Sequence, residues 1–172
     1  CRPYLESDAT CPVSVYGRTK LAGEQALMEV CPDSVIIRTA WLYSGYGHNF
    51  VKTISRLASE RDELNVVNDQ WGTPTYAGDL AVAIIRIMER DDLPELEGVY
   101  HFTNEGACTW YDFAKEIVAI TGAKCKVNPV TTGEYPSKAK RPAYSILDKT
   151  KIKETFDLEI RDWREALKSC MA

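Results

Sequence analysis

Short β-branched runs alternate along the chain with longer stretches whose apolar residues recur at helical spacing. Cys1 to Ser14 reads as a polar loop rich in Pro, Asp and Ser, and it leads into a helix expected from about Val13 to Val30, ended by Pro32. Ser34 to Leu42 (SVIIRTAWL) is nearly continuous in apolar character, which predicts a strand buried on both faces of a parallel sheet. After a loop with two glycines, Phe50, Ile54, Leu57 and Ala58 form the stripe of a helix from Asn49 to about Glu60. A short strand, Leu64 to Asn68, runs into a loop marked by Gly72 and Pro74. A helix then begins at Tyr76 to Asp79, with Leu80, Ile84, Ile87 and Met88 as its inward stripe.

Val99 to Thr103 alternates as a strand, and Thr109 with Asp112 forms the capping box of a helix that carries Trp110, Phe113, Ile117 and Ile120 on one side and stops at Gly122. Lys124 to Val130 is expected to be a strand, and Thr131 to Pro142 a long loop with the basic cluster KAKR. Asp148 is placed to cap a short helix to about Phe156, and a last helix from about Arg161 presents Trp163 and Leu167. The alternation predicts an α/β architecture over 1–172 as a single unit, a parallel sheet plus a smaller substrate-binding lobe. At 172 residues the chain is long enough for one real core.

Charge narrows the partners. A formal net charge of −4 argues against a general nucleic-acid or anionic-membrane binder, and no apolar run approaches the length of a membrane span. The six cysteines are scattered without a Cys-x-x-Cys pair and there are only two histidines, so no metal site is expected. Free, mostly buried thiols and a cytoplasmic protein are the expectation. His48 and His101 read as structural.

The chemistry concentrates in Val15 to Glu24 (VYGRTKLAGE). Tyr16 and Lys20 are four residues apart, which sets both on one face of a helix. A phenol titrates near 10 in water, and an ammonium one turn away stabilises the phenolate, so such a Tyr can trade a proton with a carbonyl or alcohol oxygen near neutrality. The same spacing also arises in ordinary amphipathic helices; here Gly17 leaves room beside the Tyr and Pro12 suits the start of a helix.

The run PVSVYGRTKLAGE resembles the active-site helix of the extended short-chain dehydrogenase/reductases. With RTAWLYSGYGHNFV, NDQWGTPT, TWYDFA and KRPAYSIL, it resembles most closely the branch formed by the dTDP-4-dehydrorhamnose reductases, over essentially the whole chain but only the C-terminal part of that family. The resemblance implies a partial Rossmann-like sheet and NADPH or NADH as cofactor. It also implies a dTDP-linked 4-keto-6-deoxysugar as substrate, Tyr16 as proton donor and Lys20 as a ribose contact. No Gly-rich turn between a strand and a helix occurs in the chain, so the N-terminal dinucleotide-binding half is expected to be absent and the fragment inactive without it. A homodimer is compatible with these expectations.

Substrate contacts are expected at Trp41, Asn49, Phe50, Gln70 and Arg141. Trp41 offers a flat face to a sugar ring or is an ordinary core Trp. Asn49 and Phe50 open a helix whose free N–H groups favour a diphosphate. Gln70 can meet a base or sugar through its amide. The Arg141 guanidinium can pair with two phosphate oxygens, with Lys138 and Lys140 adding charge or simply facing water. Trp71, Trp110 and Trp163 read as packing residues. Two alternatives stay open: a nucleotide-sugar epimerase or dehydratase of the same superfamily, and a non-catalytic subunit like the reductase relative that regulates methionine adenosyltransferase.

Overall fold

The computed structural model describes residues 2–92, 95–135 and 141–172. Its elements are α1 (Val15–Val30), β1 (Val35–Arg38), β2 (Leu42–Tyr43), α2 (Phe50–Glu60), β3 (Glu63–Val67), β4 (Trp71–Gly72), β5 (Thr75–Tyr76) and α3 (Ala77–Met88). They are followed by β6 (Gly98–His101), β7 (Cys108–Thr109), α4 (Trp110–Thr121), β8 (Lys126–Val130), α5 (Thr150–Phe156) and α6 (Trp163–Met171). The expected α/β architecture is present. β1 pairs in parallel with β6, β2 with β5 and β3 with β8, whereas β4 and β7 are antiparallel.

Two apolar clusters hold these layers. The larger joins α2, α4 and α6 through Val51, Ile54, Phe113, Ile117, Trp163 and Leu167; the smaller sets α3 and α5 on β6 through Ala83, Ile87, Tyr100, Phe102, Ile152 and Phe156. The helix ends follow local chemistry. Thr109 and Asp112 form a reciprocal capping box on α4, Gly122 ends that helix in the left-handed conformation, and the Asn49 side chain caps α2 by accepting from Lys52 N.

Several expectations are corrected. The run 34–42 is not one strand: it breaks between Arg38 and Leu42, where Trp41 has φ +48°, and β1 is only half-buried along its length. The inward face of α3 is Leu80, Ala83 and Ile87, while Ile84 and Met88 are exposed, because α3 packs against the smaller cluster on one side only. The N-cap of α5 is Lys149 rather than Asp148, although Asp148 Oδ1 still accepts from Thr150 N at 2.8 Å. Among the described cysteines only Cys108 and Cys125 are buried, whereas Cys11 and Cys31 are exposed. His48 is also exposed. Among the described residues no helix is long and apolar enough to cross a membrane, and no group of three or more His, Cys, Asp or Glu is placed to hold a metal ion.

The N-terminal loop is stitched to the fold through His101. Tyr4 N donates to Ile146 O, Asp148 N donates to Tyr4 O, and His101 N donates to Glu6 Oε1 at 3.0 Å, with the buried imidazole Nδ1 3.2 Å from Tyr4 O. Burial pushes the His101 pKa down, against the pull of Glu6 at 3.9 Å and with help from Arg38. The folded chain therefore favours the neutral ring. Above an unfolded value of about 6.5 both states are neutral and stability is intact; below it the unfolded chain takes up the proton first, and stability falls until the folded ring also protonates. Unfolding stability measured from about pH 7 to pH 5 should decline by at most about 1.4 kcal/mol per pH unit from this group, and His101→Gln should flatten that slope. An unchanged slope in the variant would remove His101 from this role.

Candidate functional site

Tyr16 and Lys20 lie in the first turns of α1, whose N-cap Ser14 accepts from Gly17 N at 3.0 Å. Pro12 is what occupies the space beside Gly17: a Cβ added there would fall 3.0 Å from Pro12 Cβ. Glycine thus lets the incoming loop fold back against the helix. None of the α1 residues is buried, and Tyr16 is 73% exposed. The phenol is available to a ligand rather than walled in by packing.

What holds α1 to the sheet is a pairing the sequence reading missed. Arg38, the last residue of β1, donates from Nε to Glu24 Oε2 at 2.8 Å and from Nη2 to Glu24 Oε1. Both side chains are largely shielded, and the bond to Glu24 raises the Arg38 pKa, so the guanidinium is a fixed anchor between helix and strand. Glu24 lies two turns beyond Tyr16 on α1, and its Arg38 contact orients the helix that carries Tyr16 and Lys20.

A second group forms beyond the end of β1. The left-handed turn at Trp41 is unusual for so bulky a residue and is the kind of local strain that gathers at functional sites. Trp41 O accepts from Thr75 N, and its indole stacks on Trp110 with ring centroids 3.6 Å apart and planes 13° from parallel. Gly72 presses so close that a Cβ there would sit 2.5 Å from Trp41 Cε2. Trp41 is thus half-buried, with one indole face against Trp110. Phe50 packs 4.6 Å from Trp110 and 5.5 Å from Phe113. The Arg141 guanidinium carbon lies 5.8 Å from the Trp110 ring centroid, and the Arg141 side chain is exposed. Lys138 and Lys140 lie outside the described residues.

Asn49 and Gln70 are engaged internally. Asn49 Nδ2 donates to Ser44 O at 2.8 Å and to Tyr46 O at 3.2 Å while its Oδ1 caps α2, so the amide closes the loop before the helix. Gln70 is buried and donates to Thr132 Oγ1 at 3.0 Å; Asp69 accepts from Thr132 N and Oγ1. These contacts, which lower the Asp69 pKa, clamp the start of the loop after β8. Trp41, Phe50 and Arg141 therefore converge on Trp110. Among the described residues no hydrogen bond, ion pair or aromatic contact joins Tyr16 or Lys20 to that group. Trp110 gave no signal beyond its place at the start of a helix stripe, and the Glu24–Arg38 pair gave none at all, because both depend on long-range approach.

The chain has relatives of known name. A dTDP-4-dehydrorhamnose reductase of Aggregatibacter actinomycetemcomitans is 46% identical over 177 residues, covering 98% of this chain and 60% of its own length. That of Escherichia coli strain K12 is 45% identical over 175 residues, covering 96% and 58%. A crystal structure of dTDP-4-dehydrorhamnose reductase from Bacillus anthracis in complex with NADP superposes with a TM-score of 0.91 at 41% identity, over 98% of this chain and 58% of that one. The chain thus spans about three fifths of the length of the curated relatives it matches. The model of the RmlD substrate binding domain matches residues 1–172, and the chain belongs to that family.

Proposed function

We propose that these residues form the substrate-binding and proton-donating part of an NAD(P)H-dependent reductase that converts dTDP-4-dehydro-L-rhamnose to dTDP-L-rhamnose. The observation that carries this reading is the open Tyr16 ridge: a 73% exposed phenol one turn from Lys20, on a helix fixed to the end of a parallel strand by Glu24 and Arg38. Exposed hydroxyl and ammonium groups on one ridge also suit the hydroxyls of a ribose, so the cofactor fits the residues present. Reduced nicotinamide, when bound, supplies the hydride to the C4 carbon.

Tyr16 holds the proton that the C4 oxygen takes up as its negative charge develops, and Lys20 stabilises the phenolate left behind. Trp41 gives the sugar ring an apolar surface, and Arg141 pairs with the diphosphate. The activity belongs to a polypeptide in which these residues are joined to a dinucleotide-binding segment, and the 172 residues alone are expected not to turn over. We place the enzyme in the cytoplasm, a compartment that suits the free thiols of Cys11 and Cys31.

Incubating the full-length protein with the 4-keto sugar nucleotide and NADPH or NADH tests the reading. One reduced cofactor should be consumed per sugar reduced. Isomerised sugar with no net cofactor consumption would identify an epimerase instead, and no turnover with partner binding intact would identify a binding subunit.

A further inference from the structure

Trp110 touches three of the candidate substrate contacts at once. It stacks on Trp41 at 3.6 Å, meets Phe50 at 4.6 Å, and lies under the Arg141 guanidinium at 5.8 Å. Its own position is set by backbone: it is the first residue of α4, inside the capping box that Thr109 and Asp112 close around it, and buried Thr109 also donates from Oγ1 to Asn68 Oδ1 at 3.0 Å. The ring therefore stands in place before any ligand arrives. Trp41, by contrast, has a left-handed backbone that is poorly supported by its own preferences and needs neighbours to hold it. Arg141 is an exposed side chain, and among the described residues the flat Trp110 ring lies within cation–π reach of its guanidinium and can give it direction.

Resting on the reading of Trp41 and Arg141 given above, we propose that Trp110 is a positioning residue that couples the sugar platform to the diphosphate clamp. It acts through those two side chains and touches no reacting atom. Removing it frees Arg141 and uncovers one face of Trp41, so ground-state binding suffers more than the chemical step.

The test uses the full-length reductase, with dTDP as a probe that carries the diphosphate but no sugar. Arg141→Ala should weaken dTDP binding by about 10-fold or more, the loss of a charge-assisted contact. Trp110→Ala should weaken it by about 3- to 10-fold, in the range of a cation–π contact. The double variant should match Arg141→Ala within about 2-fold instead of multiplying the two losses, because residues acting through one another are not additive. Trp110→Phe, which keeps a flat ring, should bind dTDP nearly as the parent does. Trp110→Leu, which keeps apolar volume without a ring face, should behave as Trp110→Ala and serves in its place if that variant does not fold. In both weakened variants KM for the sugar nucleotide should rise more than kcat falls.

Unchanged dTDP affinity in the Leu and Ala variants, or losses that multiply in the double variant, would overturn the proposal while leaving Arg141 as a clamp. Unchanged affinity in Arg141→Ala would overturn the clamp itself and the coupling with it.

Discussion

If the proposed reduction is the activity, Tyr16→Phe in the full-length protein is expected to lower kcat by about 100- to 10,000-fold, the usual worth of a positioned general acid, with little change in KM for the sugar nucleotide. The substitution removes one oxygen and leaves the ring. Tyr16 is 73% exposed on a helix with no buried residue, so there is no packing to lose within this part of the molecule, and melting temperature should stay near that of the parent. A loss of rate with stability intact separates proton donation from scaffolding. A kcat within about 3-fold of the parent would place the proton donor elsewhere.

The largest expected change in stability is at Phe113. Its side chain is fully buried at the centre of an aromatic group, with ring centroids 5.4 Å from Tyr43, 5.5 Å from Phe50 and 5.7 Å from Trp163, the last edge-on at 87°. Phe113→Ala removes aromatic contacts that α4 makes with both α2 and α6 and leaves a cavity that three rigid neighbours fill poorly. The cost is expected at about 3–5 kcal/mol, a large share of the roughly 5–15 kcal/mol that holds a typical domain. A urea midpoint shift should report it, with Phe113→Leu losing less. Because Phe50 leans on both Phe113 and Trp110, the variant should also raise KM. A shift worth less than about 1 kcal/mol would mean that the larger cluster is not organised around this ring.

What could be read from the sequence was mostly what a few neighbouring residues decide. The Thr109–Asp112 box, the Gly122 stop, the Asn49 start and the inward Trp163 and Leu167 depend on spacing within one helix, and each is found in place. Features set by distant segments were not legible. The break at Trp41 comes from the approach of Gly72 and Trp110, which lie about 30 and 70 residues further along. The outward Ile84 and Met88 follow the same rule, since the periodicity of α3 offers two apolar faces and only contact with β6 and α5 chooses between them.

The candidate site divides in the same way. Tyr16 and Lys20 were visible because their spacing is local, and Arg141 because of its chemistry. Asn49 and Gln70 were visible as residue types, but not as the internal clamps that the structure makes of them. Their amides secure the loops before α2 and after β8. The partners of Trp110 and the Glu24–Arg38 anchor required the fold.

The most direct measurement is the fate of isotope from the cofactor. When the full-length protein is supplied with nicotinamide deuterated at the transferring carbon, one deuterium is expected at C4 of the product sugar, with the new hydroxyl proton drawn from water by way of Tyr16. A product with unlabelled C4, or label that returns to the nicotinamide with no reduced sugar formed, would contradict it.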